Sequence, residues 1–231
     1  PDARLYSGPV PPRHASFGQR RSACINSVIA FRRYVDPSDI PTLVLVDLQQ
    51  EYVANERPLA MPNAATALEN CRLALAHARA MGFPVAFVRR SGSGAIFNAA
   101  TRFARWIPGF EPWGADMVFE RNRPSCYASP EFGEVMGCGD GHLIIAGFAG
   151  ETSCLATAID AFHRGHRFVF LEDACASHAL DEVPPRDVHN VACKIIQLYG
   201  DVTNAAAWIS ATSHGRRARR TLHGTEQGHS A

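Results

Sequence analysis

The stretch that most constrains this chain is TLVLVD at 42–47, in which four apolar residues run without a polar break into an acid, Asp47. A half-exposed strand alternates apolar and polar side chains; an unbroken run suits a central parallel strand buried on both faces. Comparable runs follow at 84–89 (PVAFVR), 116–120 (DMVFE), 142–147 (HLIIAG) and 167–173 (RFVFLED). Between them the apolar spacing turns helical. Ala64, Leu68, Cys71, Leu75 and Ala78 predict a helix over 63–81, stopped by Gly82. Further helices are expected at 130–137, 152–165 and 186–199, with a short element near 200–209. Leu155, Ile159 and Phe162 mark one face of the third helix, and Thr152 or Ser153 is its expected cap.

Alternating strands and helices predict an α/β fold. It is read as a single-domain, doubly wound, Rossmann-like and mainly parallel sheet of about six strands, with helices on both faces and right-handed crossovers. The domain is placed at 36–210, after an arm at 1–35 (partly helical or without regular structure) and before a basic, flexible tail at 211–231. In such sheets ligands collect beyond the carboxyl ends of the strands, where the strand order reverses. With order 3-2-1-4-5, strands 1 and 4 are neighbours there. Asp47 ends the first and Cys154 follows the fourth, so topology draws the two together.

Charge and cysteine content narrow the function classes. The net charge is +1, yet residues 1–22 carry four Arg against one Asp and residues 213–231 four Arg against one Glu. Neither end interleaves aromatic residues with its basic ones, so nucleic-acid binding is not expected. No run of about 18 apolar residues occurs and no secretory leader is seen, so neither a membrane span nor export is expected. Seven cysteines, an odd number without a C-x-x-C pair, point to a reduced, cytoplasmic protein rather than a disulfide framework. The ten histidines form no H-x-x-x-H pair, so no metal is expected, and His178 is read as a surface or supporting residue. Gly92 and Gly94 match the start of a dinucleotide fingerprint, but Phe97 stands where its third glycine belongs, so no cofactor is expected.

The residues carrying chemistry lie in AGFAGETSCLATAIDAF, 146–162. Cys154 there falls in the first turn of a helix after a strand, where unpaired N–H groups favour a thiolate and can receive an oxyanion. Asp47 can take a proton from a thiol and return it to a leaving amine. The other cysteines read as packing, with Cys126, after strand 3, the one other worth watching. Aromatic residues near the strand ends (Tyr52, Trp106, Phe110, Trp113, Tyr127, Phe148) offer pocket walls, and Arg89, Arg90 and Arg105 could hold a substrate carboxylate.

VLVDLQQEY, VFERNRPSCY, GFAGETSCLATAIDA and VFLEDACASH, in that order over roughly 40–205, resemble the isochorismatase-like cysteine hydrolases. The resemblance implies a catalytic triad of Asp47, Arg121 and Cys154, with Arg121 where the family has Lys. It also implies a non-proline cis peptide in the loop before Cys154; Tyr52, Trp113, Tyr127, Phe148 and Gly150 are the candidate substrate contacts near the strand ends. The implied activity is cysteine-dependent hydrolysis of a C–N bond in a small amide, carbamoyl or ureide compound through a thioester, by a homo-oligomer (dimer or tetramer). The alternatives are a catalytically altered binding protein and a vinyl-ether hydrolase of isochorismate type. The loop GFAGETSC holds one residue more between Gly147 and Cys154 than the resemblance leads one to expect.

Overall fold

The computed structural model describes residues 40–61, 63–138 and 141–213. The expected arm and most of the basic tail therefore lie outside the described residues.

Every strand expected from the apolar runs is present: β1 Thr42–Val46, β2 Val85–Arg90, β3 Met117–Arg121, β4 His142–Gly147 and β5 Arg167–Cys175, with a short β6 at Asp201–Thr203. All pairings are parallel, and the order is β3-β2-β1-β4-β5-β6. Leu43, Val44, Leu45 and Val46 have no exposed surface, as an apolar run buried from both sides requires. Each such side chain contributes about 1.5–3 kcal/mol of burial. Val44 and Val46 face one core with Phe132, Ala158 and Ile196; the alternate residues face the opposite side, where α1 (Ala65–Met81) packs across β1, β4 and β5.

The helix α1 ends as its sequence dictates, with Gly82 in the left-handed conformation at φ 71° and its N–H closing on the carbonyls of Ala78 and Arg79. The helices α2 (Pro130–Gly137), α3 (Leu155–His163) and α4 (Pro185–Ile196) complete the alternation, and residues 205–213 are helical. The boundary expected at 210 thus falls inside a helix.

Two expectations for α3 are corrected. It begins at Leu155, after a π-helical turn over Gly150–Cys154, and no side chain caps it. Its buried face is Thr157, Ala158 and Ala161, whereas Phe162 is exposed beside Tyr199. The sheet admits only small side chains beneath this helix, so bulk does not mark its inner face. No described helix is long and apolar enough to cross a membrane.

Candidate active site

The site forms where β1 and β4 run side by side. Their register pairs Val46 with Gly147, so the chain leaves both strands at the same level. Gly147 takes φ 118°, and a Cβ there would lie 2.7 Å from the Val46 nitrogen and closer still to its carbonyl oxygen. Only glycine permits that approach. The next peptide, Phe148–Ala149, is cis, as the resemblance implied. On the other side Asp47 adopts φ 50°, a conformation Asp tolerates better than most residues.

Asp47 has no exposed surface, and its carboxylate is the hub. Arg121 Nη2 donates to Oδ2 at 2.7 Å, and Ser153 Oγ donates to the same oxygen at 3.1 Å. Among the described residues Oδ1 is buried without a partner. Burial pushes the Asp47 carboxyl above its usual range, against the opposing pull of Arg121, Ser153 and Arg90. Arg121, at the end of β3, is itself fixed twice, its Nη1 donating to the Arg123 carbonyl at 2.6 Å. Burial works against its charge, but Asp47 and Cys126 beside it hold the guanidinium protonated. The Cys126 thiol next to it is pushed up by burial to about 12, and its N–H donates to Thr157 Oγ1 at 3.0 Å.

Asp47 and Arg121 therefore meet as expected, but Cys154 does not join them in a hydrogen bond. Cys154 is buried in the core beside Cys175, and its N–H closes on the Ala149 carbonyl at 3.1 Å. Successive residues of a helical turn point about 100° apart. With Ser153 turned to Asp47, Cys154 is carried round into the core. The residue missed from sequence is thus Ser153. The signal was the extra residue between Gly147 and Cys154, which the wide π turn absorbs. Ser153 stands at the count from Gly147 that the resemblance implies for the nucleophile.

The other expected contacts divide. Tyr52 is buried against Phe97, Phe148 and His178. Burial and the nearby Asp47 charge keep its phenol protonated. Phe148 is fully buried in the same cluster. The Gly150 N–H is committed to the Ala176 carbonyl at 2.8 Å, so it offers no donor to a substrate. Tyr127 is turned the other way, its hydroxyl 2.7 Å from His166 Nδ1 just before β5. Trp113 is exposed, with Arg79 3.7 Å over its ring and its main-chain N–H donating to Asp116 Oδ2. That places it at the amino end of β3, a strand length of about 13 Å from Arg121. Tyr127 and Trp113 are therefore not part of this centre, because residues near a strand in sequence can serve either of its ends.

Gln49, which carried no signal in the sequence, locks the loop after β1. Its Nε2 donates to the carbonyls of Arg90 and Ala104, both at 2.9 Å, and its Oε1 accepts from the Arg90 N–H. Beside it Arg89, Arg90 and Arg105 line one cavity of about 60 Å³. His178 supports the loop before α3, with Nδ1 2.8 Å from Glu151 and Nε2 3.0 Å from the Leu59 carbonyl.

A family model for the isochorismatase domain matches residues 41–207. The chain belongs to the isochorismatase family of hydrolases. It is 29% identical over 147 residues to a streptothricin hydrolase of Streptomyces noursei, a match covering 63% of this chain and 52% of that protein. The chain thus spans about half the length of that relative. Among solved structures, an isochorismatase from Pseudomonas putida superposes with a TM-score of 0.68 at 26% identity, covering 73% of this chain and 89% of that one. An N-carbamoylsarcosine amidase from Thermoplasma acidophilum shares the fold at a TM-score of 0.61 and 22% identity, covering 72% and 97%.

Proposed function

We propose that this family member hydrolyses a C–N bond in a small amide, carbamoyl or ureide compound by acyl transfer to the enzyme. The observation that carries this reading is the Asp47 carboxylate, sealed from solvent between Arg121 and the Ser153–Cys154 step, with Oδ1 unpartnered among the described residues. A carboxyl raised above its usual range is suited to hold a proton part-way through a reaction and give it up again. The names of two similar proteins, a streptothricin hydrolase and an N-carbamoylsarcosine amidase, support the reaction class.

One of the two consecutive side chains at the start of α3 attacks the carbonyl carbon while Asp47 takes its proton. Asp47 then protonates the departing ammonia or amine and activates the water that releases the acid. Arg121 serves as a fixed positive charge beside the carboxylate. Unlike a lysine it does not exchange its proton near neutrality, so proton movement falls to Asp47 alone. Asp47, Ser153 and Cys154 have no exposed surface, which keeps bulk water from the intermediate and favours a small substrate.

The test is release of ammonia or amine from a panel of small primary amides, carbamoyl compounds and ureides, with Asp47→Asn in parallel. Release by the wild type, reduced about 10³-fold or more in the variant, is expected, in line with loss of a proton-transfer group. Equal turnover by the two proteins would refute the reading.

A further inference from the structure

From the geometry around Asp47 we infer that Ser153, not Cys154, is the nucleophile of this enzyme, so that the covalent intermediate is an oxygen ester. The inference rests on the acyl-transfer reading above and assigns its attacking atom.

Two independent features support it. The first is position. Ser153 Oγ already donates to Asp47 Oδ2 at 3.1 Å, the geometry a hydroxyl needs to hand its proton to a general base. The same oxygen accepts from Arg121, so the base is held in place from the opposite side. Ser153 lies inside the π turn rather than at a cap position, and its hydroxyl is turned to the buried carboxylate.

The second is the setting of Cys154. Its thiol lies against Cys175, in a core that also holds Cys126, Cys193 and Ala158. To reach Asp47 it would have to rotate by about 100°, the angle between successive residues of a helix. That rotation would break the Ser153–Asp47 bond and empty a packed site.

The step balances as follows. Ser153 Oγ bonds to the carbonyl carbon while its proton passes to Asp47, and the carbonyl π pair moves onto oxygen. When the tetrahedral species collapses, the C–N bond breaks and the nitrogen takes the proton from Asp47 and leaves as ammonia or amine. Water then adds to the ester carbon, giving a proton to Asp47. The C–Oγ bond breaks and Oγ regains a proton from Asp47. One amide and one water become one acid and one amine.

The experiment maps the acyl group. An amide turned over by the wild type is mixed with enzyme, quenched in acid, and the modified peptide is sequenced by mass spectrometry before and after neutral hydroxylamine, which cleaves thioesters and spares oxygen esters. An adduct at Ser153 that survives hydroxylamine is expected. Turnover should fall at least 10³-fold in Ser153→Ala and stay within about five-fold in Cys154→Ala, effects of the size expected for a nucleophile and for a bystander. Ser153→Cys should form a hydroxylamine-labile adduct at the same position, which shows that the site is intact.

An adduct on Cys154, or full turnover by Ser153→Ala, overturns the assignment and leaves the hydrolase reading standing. Silence of the wild type on every amide instead refutes the hydrolase reading. In that case a serine-directed fluorophosphonate decides the assignment alone. Labelling at Ser153 that is lost in Asp47→Asn supports it, and an unlabelled Ser153 overturns it.

Discussion

Replacing Arg121 by Met should be among the most destabilising single changes in this protein, and Asp47→Asn should rescue much of the loss. Arg121 and Asp47 are joined at 2.7 Å with both side chains fully buried. Removing the cation strands a carboxylate whose remaining donor is Ser153. Breaking a buried pair from one side costs about 3–5 kcal/mol, because the other charge is left uncompensated. For a protein of this size each kcal/mol moves Tm by roughly 2–4 °C, so a fall of about 6–20 °C is expected. The double variant Asp47→Asn/Arg121→Met removes both charges and should be more stable than Arg121→Met alone. The loss should also depend on pH. A carboxyl raised in the folded state binds its proton more tightly there than in the unfolded chain, so stability falls as pH climbs toward and through the folded value. Without Arg121 the Asp47 carboxyl is raised further, and the variant's deficit should be larger at pH 8 than at pH 5. Urea unfolding of the wild type, both single variants and the double variant at these two pH values measures every term. Additive effects of the two substitutions, or a deficit independent of pH, would refute the reasoning.

Other outcomes follow from the same contacts. Gly147→Ala, which forces a side chain onto the Val46 main chain at φ 118°, should lower Tm by about 6 °C or more or prevent folding, the scale of a backbone clash in a core costing about 3 kcal/mol or more; a shift of only a degree or two would contradict the close approach. The acid limb of kcat/KM should lie above the ordinary carboxylate range, because burial raises the Asp47 carboxyl that must be ionised to act as base; a limb near 4, the ordinary Asp value, would count against it. The Glu151 partner raises His178, a contribution fully present below the unfolded imidazole value of about 6.5 and lost as pH rises through the folded one. The stability gap between wild type and His178→Ala should therefore narrow from pH 6 to pH 9, as read by thermal melts. If the Arg105 side chain receives a substrate acid group in its cavity, Arg105→Ala should raise KM about ten-fold or more for carboxylate-bearing amides and leave neutral ones unchanged, as lost charged recognition does; equal effects on both would remove that role.

Much of the fold is legible in the sequence because the parallel strands must be apolar on both faces, a pattern few other structures impose. The strand order follows from it, whereas the meeting of Asp47 with Arg121 was implied by the family resemblance. The inner face of α3 was not legible, since Thr157, Ala158 and Ala161 are buried for their smallness rather than their apolar bulk. Nor was the choice between Ser153 and Cys154. Consecutive residues differ by a rotation that depends on whether the turn is α or π, and one extra residue in the loop is the sole trace of it. Trp113 and Tyr127 show the matching limit: closeness to a strand in sequence does not say which end of the sheet a side chain serves.

Breakage of the C–N bond by acyl transfer to the enzyme is tested most directly by partitioning turnover between water and added hydroxylamine. Two amides sharing an acyl group but differing in the amine should give the same ratio of hydroxamate to free acid, because both pass through one acyl-enzyme. Within the intact site Asp47 activates hydroxylamine as it does water, unlike the uncatalysed reaction of the quenched ester, and a ratio that changes with the leaving amine would mean that water attacks the substrate without an acyl-enzyme.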